Sequence, residues 1–314
     1  MYRGSWPLKS AAPVRCGSLL RCGALLRGRM DRYLRDLFDR EGDFFYLLPF
    51  FTSDTAMVDT QTFPCYLVAN WKMSLSNRQS LELARDLIRE AAMMPLPDDL
   101  HTWVAPSFLA IPDTVRALSG SRFQVGGQNL WPETHGAFTG EVSPLQLKEI
   151  GATFVIVGHS ERRTLVKEGD DLIRRKVQSA IRHGLVAILC VGETREERRS
   201  GRTLEVLRNQ LTAAIQGCSP HEVKSLLIAY EPVWAIGTGE VASLDQIAEA
   251  HTTISSLVYD LTHAYCPVLY GGSLKPENAD SILALPSVHG GLVGGASLVA
   301  ESFFDLIRAG VAGM

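Results

Sequence analysis

Three side chains of different chemistry stand just past apolar runs. Lys72 follows the run at 65–69, His159 the run at 153–157 and Glu231 the run at 226–230. A carboxylate can take a proton as general base, a neutral imidazole can polarise or protonate a carbonyl oxygen, and an ammonium can steady growing negative charge. Together they suit removal of a proton from a carbon next to a carbonyl. No metal-ligand cluster and no G-x-G-x-x-G fingerprint after a strand accompanies them, so neither metal nor cofactor is expected. Gly271-Gly272-Ser273 and Gly294-Gly295-Ala296-Ser297 follow two later apolar runs, where backbone N–H groups at a short helix start can hold phosphate. Singly, each signal has a plainer explanation: a loop Glu, His or Lys is usually solvated or structural, and paired glycines can be tight turns. Their joint placement after several apolar runs is what points to a site.

Positioning such residues requires a regular framework. From Cys65 onward, short apolar runs at 65–69, 101–105, 123–127, 153–157, 186–191, 226–230, 268–270 and 291–293 read as eight strands. Between them, segments such as 79–92, 171–182, 204–215, 244–262 and 276–283 carry apolar residues at helical spacing, with start signals at Ser76, Ser243 and Lys275-Pro276. Eight strand-then-helix units in this length fit a single (β/α)8 barrel, whose post-strand loops would all open on one face. An open doubly wound sheet has a similar pattern, and periodicity alone leaves that choice open.

The formal charge of −3 argues against nucleic acid as the main partner. No run of eighteen apolar residues suggests a membrane span. Six scattered cysteines without a C-x-x-C pair read as reduced thiols in the cytoplasm.

Asn70-Trp71-Lys72, Gly158-His159-Ser160-Glu161-Arg162-Arg163, YEPVWAIGTG at 230–239, Tyr270-Gly271-Gly272-Ser273 and VGGASL at 293–298 resemble, in order and spacing, the motifs of the triosephosphate isomerase family. The resemblance runs from about Cys65 to the C-terminus. It implies a TIM barrel that interconverts D-glyceraldehyde 3-phosphate and dihydroxyacetone phosphate without a cofactor, in glycolysis and gluconeogenesis. By the same resemblance Glu231 is the catalytic base, His159 the neutral electrophile and Lys72 the cation facing substrate, with Asn70 a polar contact. Residues 232–238 match a closing lid whose Gly237 N–H meets phosphate, alongside Ser273, Gly294 and Gly295. Tyr270 and Ser273 match residues that latch the closed lid, Trp234 its first hinge, and Ser160 and Glu161 supporting neighbours of the histidine. Residues 128–141 match a loop that inserts into a second subunit, so a homodimer is implied. Thr139 would reach Asn70 of the partner subunit, and Glu141 would pair with Arg162. Trp131 and Phe138 read equally well as a local loop core. Glu240 and His289 depart from the family's usual Lys and acidic residue, and Glu240 reads as solvated or as altering lid charge.

The first thirty residues carry Arg3, Lys9, Arg15, Arg21, Arg27 and Arg29 with no acidic residue. Residues 1–56 therefore read as an N-terminal extension preceding a barrel domain at 57–314. The extension is expected to be disordered, or an artefact of a start set upstream of Met30 or Met57; a targeting segment or an added arm has the same composition. Two rival functions remain at this level. Another sugar-phosphate barrel enzyme would keep the glycine loops but has no need of all the motifs together, and a non-catalytic binding homologue has no need of Glu231, His159 and Lys72.

Overall fold

A computed structural model describes residues 63–313. Every expectation for residues 1–56 lies outside the described residues. Eight strands, β1 (Cys65–Asn70), β2 (Leu100–Ala105), β3 (Phe123–Gly127), β4 (Phe154–Val157), β5 (Val186–Val191), β6 (Leu226–Tyr230), β7 (Val268–Tyr270) and β8 (Gly290–Val293), pair in parallel in chain order. Strand β8 closes on β1 through Tyr66↔Gly290 and its neighbours, which decides for the barrel over the open sheet. Strands β1, β2 and β8 each run one residue beyond the apolar pattern, because the ladder pairs Asn70 with Ala105, Cys65 with Leu100 and Tyr66 with Gly290 whatever their side chains.

The strands read as unbroken apolar runs because both of their faces are covered. Along β5, Ile188 and Cys190 point into the barrel and Leu189 and Val191 toward the helices, following the two-residue period. Trp103 stacks on Phe154 inside the barrel with ring centroids 4.7 Å apart, so the interior is a filled core and a ligand must bind at its rim.

The helices are α1 (Asn77–Met93), α2 (Ile111–Leu118), α3 (Pro144–Glu149), α4 (Ser160–Leu165), α5 (Asp170–Arg182) and α6 (Arg195–Arg199). They continue as α7 (Thr203–Ile215), α8 (Pro220–Val223), α9 (Leu244–Thr262), α10 (Pro276–Leu283) and α11 (Ala300–Ala312). Ser76 and Ser243 start α1 and α9 with reciprocal capping boxes through Gln79 and Gln246, as the sequence suggests. Helix α9 buries Ile247, Ala250, Ile254 and Val258 on one stripe against the strands. Each of the isoleucine and valine side chains contributes about 1.5–3 kcal/mol by leaving water. Among the described residues no helix is long and apolar enough to cross a membrane.

Candidate active site

The Glu231 N–H still pairs with the Val191 carbonyl at 2.7 Å, so this carboxylate is carried by the last rung of β6 and is 2% exposed. Its Oε1 lies 3.0 Å from His159 Nε2, and its Oε2 accepts the Ser160 N–H at 2.8 Å. His159 follows β4 and opens α4, and its Nδ1 accepts the Glu161 N–H at 3.2 Å. A ring nitrogen that accepts carries no proton, so the imidazole bears its hydrogen on Nε2, facing Glu231. Glu161 in turn receives Lys72 Nζ at 2.6 Å.

Lys72 itself sits at φ 47°, a left-handed conformation that costs a non-glycine residue about 1–2 kcal/mol. Two side chains hold it there: Asn70 Oδ1 accepts the Lys72 N–H at 3.1 Å, and Gln128 Nε2 donates to the Lys72 carbonyl at 2.8 Å and to that of Ala105 at 2.9 Å. The strain aims the ammonium at the cavity and not along the strand.

Burial opposes charge on both members of the Glu231–His159 pair, and their mutual contact reverses that. Glu231 is held below the ordinary carboxylate range because the imidazole and the Ser160 donors outweigh its burial. Burial pulls His159 down, but the Glu231 charge and hydrogen bond more than offset it, so the ring is raised in the resting pair. That rise depends on Glu231 being in contact. The Glu161 carboxylate, 3.6 Å from Nδ1, adds to the rise, and the Lys72 cation opposes it.

Asn70, Lys72, His159, Glu231, Gly237, Ser273, Gly294 and Gly295 line one cavity of about 230 Å³, with the Lys72 side chain against Gly294. Residues from five separate strand ends therefore converge, as the sequence reading requires. Ser160, Glu161 and Tyr270 stand behind this first layer. Thr139, Glu141 and Arg162 do not join it: Thr139 is exposed, and Arg162 Nε donates to Glu168 at 2.6 Å within the same chain. The Trp131 and Phe138 rings pack on each other with centroids 5.1 Å apart within the loop, and Phe138 stays exposed.

The family model for triosephosphate isomerase matches residues 65–310. The chain belongs to the triosephosphate isomerase family. It is 45% identical to the triosephosphate isomerase of Lawsonia intracellularis over 249 residues, covering 78% of this chain and 97% of the relative. It is 40% identical to that of Fusobacterium nucleatum over 251 residues, covering 78% and 98%. With that of Protochlamydia amoebophila it shares 39% over 251 residues, covering 79% and 94%.

Three parts of this family member's site escape the sequence reading. Gly192 must be glycine because a Cβ there would lie 1.7 Å from the Glu231 carbonyl oxygen. The next residue, Glu193, is fully buried and accepts Trp234 Nε1 at 2.8 Å and Tyr230 Oη at 3.2 Å; burial raises its carboxyl, and these donors partly offset the rise. The Gly-Glu pair directly after the fifth apolar run was the available signal. Gln128 left no local signal, since its role is to reach across to the carbonyls of Lys72, just past β1, and Ala105, at the end of β2.

Residues 232–240 continue from Glu231 as a 3-10 turn, Val233–Ala235, and then a bend through Gly237 at φ 68°. Thr238 Oγ1 donates to the Trp234 carbonyl at 2.9 Å. On β7, the buried Tyr270 hydroxyl makes no hydrogen bond of full geometry, although the Ala242 backbone N–H lies near enough to temper its rise; burial pushes its pKa up to about 12. Of the two departures from the usual family pattern, Glu240 proves to be ion-paired with Arg195 and not merely solvated. His289 accepts the Val268 N–H at 3.0 Å on the opposite end of the sheet.

Proposed function

We propose that the chain interconverts D-glyceraldehyde 3-phosphate and dihydroxyacetone phosphate, in glycolysis and gluconeogenesis, with Glu231 as the proton carrier. The observation that carries this reading is a small cavity lined together by Glu231, His159 and Lys72 and by the backbone glycines with Ser273. Phosphate binds at the glycine loops, which holds the two carbons and two oxygens of the triose within reach of Glu231 and His159.

Glu231 leaves the Ser160 N–H and takes the proton from the carbon beside the carbonyl. The electron pair moves into an enediolate, whose oxygens the His159 Nε2–H and the Lys72 cation stabilise. Proton exchange at those oxygens through His159, followed by return of the proton from Glu231 to the neighbouring carbon, completes an isomerisation with no net change in atoms. This enzyme family is itself a standing illustration of a carboxylate base with a neutral imidazole, and of lid closure. The lid brings the Gly237 N–H to phosphate and excludes water, so the enediolate does not expel its phosphate. Lid closure tightens the contact between the Tyr270 hydroxyl and the Ala242 backbone N–H into a full hydrogen bond.

The working unit we infer is a cytoplasmic homodimer. Exposed Met73 and Leu165, 94% and 77% accessible beside the site loops, supply apolar surface for a neighbouring copy, and the protruding 128–141 loop supplies the matching projection. Arg162 keeps guanidinium nitrogens beyond Nε for the partner subunit's Glu141. Residues 1–56 are proposed to be dispensable for catalysis, because all candidate site residues lie between Asn70 and Gly295.

The test is conversion of D-glyceraldehyde 3-phosphate by the full chain and by residues 57–314, without added metal or nucleotide. Fast turnover by both is expected. Folded, inactive protein in both cases would favour the binding-protein alternative, and activity in the full chain alone would make the extension part of the enzyme.

A further inference from the structure

The fully formed hydrogen bonds that hold the lid come from the β5 side. Arg195, the first residue of α6, donates from Nη1 to Glu240 Oε2 at 3.0 Å, and its Nη2 lies 2.9 Å from Glu240 Oε1. The same Nη2 donates to the Trp234 carbonyl at 3.1 Å. One guanidinium therefore ties together both ends of the segment 234–240, with Gly237 at its middle. Two residues earlier in the same loop, Glu193 takes the Trp234 indole N–H and, through its carbonyl, the Val233 N–H at 3.0 Å. On the β7 side the Tyr270 hydroxyl has the Ala242 backbone N–H close by but makes no hydrogen bond of full geometry. Anchors on the two sides thus compete for one lid, and a two-state element responds to any group that contacts only one of its states.

We propose that Arg195 and Glu240 form a latch for the open lid, so that this ion pair sets the population of the closed, substrate-holding state. The inference rests on the isomerase reading for the meaning of closure. Arg195 and Glu240 side chains are 40% and 50% exposed, so solvent screens the pair; the two-point geometry and the carbonyl contact put it at the upper end of what exposed pairs contribute. Releasing it should raise the closed population about 2–5-fold, the equilibrium change that the upper range for such a pair implies.

The experiment uses the full chain with Arg195→Leu, Glu240→Gln and the double variant, titrated with inorganic phosphate. A 5-fluorotryptophan label at position 234 reports the lid by its 19F signal. Both single variants should bind phosphate about 2–5-fold more tightly, and the double variant no more tightly than either, because the latch is broken once. The Trp234 signal should shift toward the phosphate-bound position in all three. Simple charge effects give a different pattern: losing the Arg195 cation weakens phosphate binding, while losing the Glu240 anion strengthens it. Opposite signs in the two singles, or unchanged affinity in both, would overturn the latch. Failure of the enzyme reading shows separately, as absence of triose phosphate turnover in the unmodified chain, since phosphate affinity and the 19F signal do not depend on turnover.

Discussion

Replacing Glu231 by Asp keeps the charge and withdraws the carboxylate by one methylene, about 1.5 Å of chain. The contacts at 2.8 Å to the Ser160 N–H and 3.0 Å to His159 Nε2 then open toward about 4 Å, beyond hydrogen-bonding range. The same retraction applies to the proton on substrate, and a misplacement of about 1 Å can cost about a hundredfold in rate. That corresponds to about 2.7 kcal/mol of transition-state stabilisation. Because phosphate is held by the glycine loops and Ser273 and not by this carboxylate, the loss should fall on kcat while KM changes by less than about threefold. Steady-state conversion of D-glyceraldehyde 3-phosphate, with thermal unfolding recorded on the same sample, separates lost catalysis from lost fold. A folded Glu231→Asp enzyme with kcat within about threefold of the unmodified chain would refute the role given to Glu231 and the distance argument behind it.

Lys72→Met should lower kcat/KM by at least about a hundredfold, since it removes a cation aimed at developing charge. Its stability should change by less than about 1 kcal/mol in urea unfolding, because the Lys72–Glu161 pair is 30% and 46% exposed. Gly192→Ala drives a methyl into the Glu231 carbonyl, so displacement of β6 should reduce activity and lower the melting temperature together. His251 is buried and neutral, its pKa lowered to about 3 from 6.5 mainly by burial. The unfolded chain binds this proton below about pH 6.5 and the folded chain only near its own lowered value, so stability falls as pH drops between the two. The expected slope is about 1.4 kcal/mol per pH unit, of order 5 kcal/mol in all, and His251→Gln, which keeps a donor for the Ser287 carbonyl, should remove it. An unchanged acid limb in that variant would count against the buried neutral ring.

The eight strands are legible in the sequence because burial on both faces leaves uninterrupted apolar runs, and even the three-residue β7 stands out between Pro267 and Gly271. Their ends are less legible, since Asn70 and Gly290 join the ladder through backbone groups that side-chain patterning does not record. Site residues that touch the cavity announce themselves by being polar at strand ends. Those that act through backbone geometry do not: Gln128 holds the strained Lys72 by its carbonyl, and Gly192 matters only because Glu231 passes so close. Glu240 looks like a solvated lid residue in the sequence because its partner Arg195 lies 45 positions away, at the start of the helix that follows another strand.

Proton transfer by Glu231 is tested most directly by running the reaction in D2O with the full chain and with Glu231→Gln. The unmodified enzyme should convert D-glyceraldehyde 3-phosphate rapidly and place solvent deuterium on the carbon that receives the proton in dihydroxyacetone phosphate, visible by proton NMR. Folded Glu231→Gln should do neither above background. Rapid conversion by the Gln variant with the same deuterium pattern would contradict the assignment, because a neutral amide cannot carry that proton.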